Sequence, residues 1–200
     1  IARYIWETLG LRRAAVLYDD DDYGVGLKDA FAAEAATLGL EIVGSYPYER
    51  EVTLDFGPDI DQSHELGAEI IFVSGLYNEA ALIAREARDK GIETPFIGGD
   101  AVLSEALLGV GGEAVEGMLM TTPFIVHPDI GGAEAQAFAE AFSDAYERTP
   151  DTWAALSYDA VNQLLDTIKE EGTDRTRIRD HFARTTTPER AYNGVTGATY

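Results

Sequence analysis

Cysteine is absent from the 200 residues, and tryptophan and methionine occur only twice each. Without thiols the chain can build no disulfide framework, no zinc-thiolate site and no cysteine nucleophile, while an oxidising compartment stays as open to it as a reducing one. Positive charge is scarce as well: Lys and Arg number 15 against 36 Asp and Glu, a formal net charge of −21. Such a surface repels a phosphate backbone, which sets nucleic acid aside as a partner and disfavours anionic membranes for the same reason. No apolar run approaches the ~20 residues of a membrane-spanning helix. Residues 1–10 pattern as an amphipathic helix rather than a signal peptide, and the first residue is Ile1 rather than Met, as in a processed protein or an excised piece.

What is present is ordinary globular material. Hydrophobic residues make up 46% of the chain, with 20 glycines and 7 prolines, so disorder throughout is excluded and one large core or two small ones can form. Up to residue 122, short apolar runs rich in β-branched residues alternate with helical patterns. Residues 14–18, 41–46, 69–74, 95–98 and 117–121 read as strands. Leu27, Phe31, Ala35 and Leu38 recur at helical spacing, as do Ala80, Ile83, Ala84 and Ala87, and the two runs close at Gly39 and Gly91. A short helix is expected over 58–66. The stretch Ile70, Ile71, Phe72, Val73 is apolar without interruption, as a parallel strand covered on both faces requires. After Pro123 the pattern changes to three helices, 133–148, 153–171 and 175–184, with Thr152 and Asp174 as N-cap candidates and 194–200 as a strand cut off at its end.

In an open parallel sheet, ligands bind beyond the carboxyl ends of the strands, so chemistry is sought in those turns. The first carries Asp19, Asp20, Asp21, Asp22, Tyr23 and Gly24, the third Gly75, Leu76, Tyr77 and Asn78, and the fourth Gly98, Gly99 and Asp100. Tyrosines with one carboxylate on a glycine turn suit a small polar or zwitterionic ligand; the alternative is that the tyrosines anchor loops and Asp100 caps a helix. Asp19 and Asp21 invite a receiver or phosphatase reading. A receiver also needs an aspartate at the end of the third strand, where Ser74 stands, and a lysine after a later strand, where Thr121 and Thr122 stand, and a phosphatase likewise needs a strand-end lysine; otherwise the aspartates form a solvated loop before a helix. Gly24 and Gly26 lack the third glycine of a dinucleotide fingerprint, Asp29 taking its place. His64, His127 and His181 share no ligand spacing, Ser74 lacks a nucleophile elbow, and Ser63, His64 and Glu65 are too close in sequence to form a relay. No catalytic constellation emerges.

Taken in order, the stretches 12–19, 22–27, 74–81, 95–100, 116–123 and 157–162 resemble the branched-chain amino-acid-binding (Leu/Ile/Val-binding-like) family of ABC-transporter solute receptors. The resemblance spans nearly the whole chain and implies a type I periplasmic-binding-protein fold, a doubly wound parallel five-stranded sheet lobe plus helices of a partner lobe. It identifies the chain as an internal fragment: residues 1–122 as the second ligand-binding lobe, and 123–200 as helices and a terminal strand of the first lobe, whose sheet is missing. On the same basis Tyr23 faces the ligand, Asp100 receives its ammonium, Leu76 stands where the family has tyrosine with Tyr77 one place on, and Trp153 lies five positions before Tyr158 as a further aromatic. The implied function is non-enzymatic and without cofactor or metal: an amino acid or related amide is presented to an ABC permease at the periplasmic or extracellular face of the membrane. A ligand-sensing domain of a regulator shares the implied fold, and a receiver- or phosphatase-type enzyme using Asp19 and Asp21 is the third reading. With the first-lobe sheet missing, the stripe of Phe138, Phe142 and Ala145 is expected to lie exposed, or to be covered by another chain or a rearranged segment.

Overall fold

The computed structural model describes all residues, Ile1–Tyr200, and the chain divides into two compact units, Ile1–Thr121 and Thr122–Tyr200. In the first, β1 (Arg13–Asp19), β2 (Glu41–Tyr48), β3 (Ile70–Ser74), β4 (Phe96–Gly98) and β5 (Leu119–Met120) form one sheet in the order β2-β1-β3-β4-β5. Every pairing is parallel, as the alternation of strands and helices predicts.

Period-two alternation explains why β1 and β3 are apolar throughout. Ala15, Leu17, Ile71 and Val73 enter one core with Phe56, Ile60, Ala80, Ala84 and Leu107. Ala14, Val16, Ile70 and Phe72 enter the other with Ile5, Phe31 and Ala35. Helices α2 (Gly57–Glu65), α3 (Tyr77–Asp89) and α4 (Glu105–Gly111) supply the first cover, and α1 (Asp22–Leu38) with the turn Tyr4–Thr8 supplies the second. Burying both faces of a strand leaves no position for a polar side chain until the strand ends. The expectations at Gly39 and Gly91 hold: Gly39 caps α1 at φ +82° and Gly91 follows α3 at φ +74°, a region that glycine enters without strain. The structure adds α4, which lacks a long periodic pattern, and trims β5 to two residues.

The entry to α1 is held from two sides. The Asp21 carboxylate accepts the Gly24 N–H at 2.7 Å as N-cap, and the buried Ser74 hydroxyl donates to the Gly24 carbonyl at 2.8 Å. A Cβ on Gly24 would fall 2.2 Å from the Asp19 carbonyl oxygen, so only glycine lets the helix start this close to the end of β1.

In the second unit α5 (Gly132–Tyr146), α6 (Thr152–Glu171) and α7 (Arg175–Phe182) follow one another, with Asp174 capping α7 as expected. Three expectations are corrected. Asp151, not Thr152, caps α6 by accepting the Ala154 N–H, because the Thr152 hydroxyl is already bonded to Thr122 and to the Phe124 carbonyl. The terminal segment is not one strand but an antiparallel hairpin, β6 (Tyr192–Gly194) and β7 (Gly197–Thr199). The buried Asp159 carboxylate accepts the N–H groups of Val195 and Thr196 and the Thr196 hydroxyl, which holds the hairpin turn in place. Finally, Phe138 is only 8% exposed, since Phe124, Phe142 and Tyr158 pack around its ring at centroid distances of 5.7, 5.8 and 4.8 Å. Phe142 is half-buried and Ala145 is exposed. The uncovered apolar surface lies instead mainly along α6, at Trp153, Tyr158, Val161, Leu164 and Leu165, and at Tyr146 of α5.

Two glycines near the start of α1 should respond oppositely to alanine. Gly24→Ala should destabilise the protein by about 1–3 kcal/mol through backbone overlap. Gly26→Ala, whose Cβ would meet nothing within 4 Å, should stabilise it by about 0.5–1 kcal/mol. Urea unfolding followed by circular dichroism checks both, and equal effects at the two positions would contradict the packing described.

Candidate functional site

The strand order reverses direction between β1 and β3, so the turns leaving these two strands diverge and open a crevice at the carboxyl edge of the sheet. Because all strands are parallel, the turn after β4 leaves from the same edge. Tyr23, in the first turn of α1, and Asp100, which opens a 3-10 turn after β4, meet there: the Tyr23 hydroxyl donates to Asp100 Oδ1 at 2.9 Å. A Cβ on Gly99 would lie 3.0 Å from that hydroxyl and 2.8 Å from Leu27, so glycine keeps the approach open. Asp100 does not cap the turn it opens, which removes the capping alternative. Partial burial, then the hydrogen bond to Asp100 and its negative charge, push the Tyr23 phenol up to about 12. Near neutral pH Tyr23 is therefore a donor, and the carboxylate it holds is half-buried.

Leu76 and Tyr77 stand on the same edge, Leu76 as the extended N-cap residue of α3 and Tyr77 as its first residue. Tyr77 is partly buried and packs on the core shared with Tyr48 and Phe56, so it is both an edge residue and a packing residue. Trp153, in the first turn of α6, belongs to the second unit and is 53% exposed. The structure thus brings Tyr23 and Asp100 into direct contact and sets Leu76 and Tyr77 along the same rim.

The aspartate run needs correction. Asp19 is not in a solvated loop: it is 2% exposed, and the Arg50 Nε donates to its Oδ2 at 2.6 Å. Arg50 also pairs with Asp21, and the two carboxylates hold the guanidinium proton more tightly than usual. The pattern of β1 explains the burial, since Asp19 falls in step with Ala15 and Leu17 on the face covered by α2 and α3. Both carboxylates of the enzyme-like reading are therefore bridged by one arginine, and no cluster of three metal-ligating side chains forms. His64 and His127 are exposed, and His181 lies 3.5 Å from Glu171.

Three residues of this edge escape a reading of sequence alone. Arg50 is one. The others are Tyr48 and Glu79, whose hydroxyl and Oε2 are buried without a hydrogen-bond partner. The Tyr48 hydroxyl lies 1.9 Å from where a Gly75 Cβ would stand, so Gly75 is glycine because a tyrosine from β2 reaches across the end of β1 to the end of β3. Burial, then the charges of Asp19 and Glu79, push the Tyr48 phenol far upward. An extra signal was available for Arg50: it is the one Lys or Arg in the turns after β1, β2, β3 and β4, and a lone cation among aspartates invites pairing.

With this geometry in view, comparison with known proteins is informative. Residues 1–199 match the family model described as periplasmic binding protein. A Leu/Ile/Val-binding protein homolog 1 from Brucella suis is 31% identical over 173 residues, covering 86% of this chain and 45% of that protein. Among solved structures, the leucine binding protein LivK from Thermotoga maritima is 32% identical with a TM-score of 0.86, covering 98% of this chain and 55% of that one. The branched-chain amino acid transporter substrate binding protein LivJ from Streptococcus pneumoniae, in complex with isoleucine, is 28% identical with a TM-score of 0.82, covering 99% and 55%. The chain spans about half the length of the relatives it matches.

The corrected place of Asp19 carries a prediction. Asp19→Ala leaves a cavity at a buried position and takes one of two carboxylate partners from the partly exposed Arg50, and should destabilise the protein by about 1–3 kcal/mol. Asp20→Ala, at an exposed neighbour, should stay within about 0.5 kcal/mol. Denaturant midpoints decide, and a neutral Asp19→Ala would contradict the ion pair.

Proposed function

The chain belongs to the periplasmic binding protein family, and from that premise we propose that it is part of the solute receptor of an ABC importer that binds an amino acid by its ammonium group or a related amide by its N–H donors. The observation that carries the reading is the Tyr23–Asp100 pair at the carboxyl edge. A carboxylate held by a neutral phenol has lone pairs left for an ammonium donor, and charge-assisted bonds of this kind are the strong ones. Asp100 is the proposed ammonium acceptor and Tyr23 orients it. Leu76 and Tyr77 supply apolar rim, with Leu76 offering no hydroxyl at its position. Trp153 is assigned to the ligand by resemblance.

In this reading residues 1–122 form the second lobe and 123–200 belong to the first. The division of the chain after Thr121 supports the boundary. The open trough of about 1130 Å³ bordered by Phe138, Phe142, Tyr146, Tyr158 and Val161 supports a further layer packed on the helices. Groups for the ligand's carboxylate are assigned to the remainder of the full-length protein, the site of action to the periplasmic or outer face of the membrane, and the partner to an ABC permease. The protein acts by binding and presentation, with no chemical step; the Arg50 pairing of Asp19 and Asp21 supports that choice over a phosphoryl-transfer enzyme.

Calorimetric titration of the full-length protein with the twenty amino acids and a set of small amides tests the proposal. At least one should bind, and Asp100→Ala should weaken it tenfold or more, since losing a hydrogen bond to a charged group removes about 1.5–3 kcal/mol. Circular dichroism confirms folding. Absence of binding across the set, or an unchanged affinity in the variant, overturns the assignment.

A further inference from the structure

Arg50 sits in the turn after β2, and its reach sets the geometry of a turn that it does not belong to. One donor, Nε, goes to the buried Asp19, and Nη2 goes to Asp21. Asp21 uses its two oxygens differently: Oδ1 accepts the Gly24 N–H as the cap of α1, while Oδ2 takes Arg50. The arginine therefore fixes the rotamer of the capping residue two positions before Tyr23. Its own turn is anchored in return by α3, where Glu79 accepts the Glu51 N–H at 3.4 Å and Glu86 accepts the Phe56 N–H at 2.8 Å. Glu51 lies at φ +61°, a left-handed conformation that a non-glycine residue keeps only when its surroundings hold it.

An exposed ion pair would have little influence on geometry. Here one partner, Asp19, is 2% exposed, so the pair cannot dissolve into water without leaving a charge in the core.

We propose that Arg50 is a positioning residue for ligand recognition: by locking Asp19 and Asp21 together it holds the first turn of α1 so that the Tyr23 hydroxyl meets Asp100. The ligand part rests on the amino-acid reading above; the hold on Tyr23 does not. The test has one readout that needs no ligand. Tyrosine labelled with carbon-13 at the ring carbon bearing the hydroxyl is titrated by NMR, Tyr23→Phe assigning the signal, in the full-length protein and in Arg50→Ala and Arg50→Lys. Removing the guanidinium charge and leaving Asp21 unpaired would by electrostatics alone drive the phenol further up, since Asp21 already raises it. Positioning predicts the opposite. Tyr23 loses Asp100 and part of its burial, and its titration falls from about 12 toward the ordinary 10.0.

The second readout is affinity for L-leucine as probe, expected to weaken about tenfold in Arg50→Ala as preorganisation is lost. Arg50→Lys should fall between, because an ammonium cannot span two carboxylates as a fork does; it also serves if the alanine variant does not fold. Arg13→Ala, which breaks an ion pair with Glu41 at the opposite end of β1, should leave the Tyr23 titration unchanged whatever it does to stability. An unmoved or upward-shifted Tyr23 in a folded Arg50 variant overturns the proposal, as does a lowered Tyr23 titration with unchanged leucine affinity. If the wild-type protein binds no amino acid, the functional reading falls, while the Tyr23 titration still decides whether Arg50 sets that side chain.

Discussion

Parallel pairing of the five strands is the constraint on which the rest of the first unit depends. It sends every strand-to-helix turn out of one edge and forces helices over both faces, so that the inner strands β1 and β3 are apolar between their ends and polar chemistry collects where they end. Asp19, Ser74 and Asp100 illustrate this: the first two are the last residues of β1 and β3, and Asp100 follows β4 by two residues. Each is tied down by a partner from another turn, Arg50 for Asp19, the Gly24 carbonyl for Ser74 and Tyr23 for Asp100. The ends of four strands, β1 to β4, are thereby cross-linked into one rim.

The glycines at this rim follow from the same crowding. Gly24 admits the Asp19 carbonyl, Gly75 admits the Tyr48 hydroxyl and Gly99 admits the Tyr23 hydroxyl. In each case a side chain at the glycine would displace the neighbour that completes the edge. The sequence motifs around Asp22 to Gly24, Ser74 to Gly75 and Gly98 to Asp100 are therefore packing requirements as well as candidate ligand contacts, and their physical meaning is shared clearance rather than chain flexibility.

Legibility in the sequence tracks the range of the interaction. The buried strand 70–73, the caps at Gly39 and Asp174 and the break after Pro123 depend on neighbours within a few residues, and each is readable from the pattern. The fate of Asp19 depends on Arg50, 31 residues away, and in a run of four aspartates nothing local separates it from Asp20. Phe138 shows the same limit: its stripe is visible, but Phe124 and Tyr158, which cover it, lie outside its helix. The hairpin at 192–199 depends on Asp159 from α6. Of the candidate site, Tyr23 and Asp100 are legible as residue types in two strand-end turns, while their hydrogen bond spans 77 residues and leaves no local trace.

Where a ligand's positive charge comes to rest decides whether Asp100 is its acceptor. A structure of the full-length protein with a bound amino acid measures this directly. The ammonium nitrogen is expected within about 3 Å of the Asp100 carboxylate, with the Tyr23 hydroxyl still donating to the same group and Arg50 still joining Asp19 to Asp21. An ammonium placed against Asp19 or Asp21 with Arg50 displaced, or a ligand bound away from the carboxyl edge of the sheet, would contradict it.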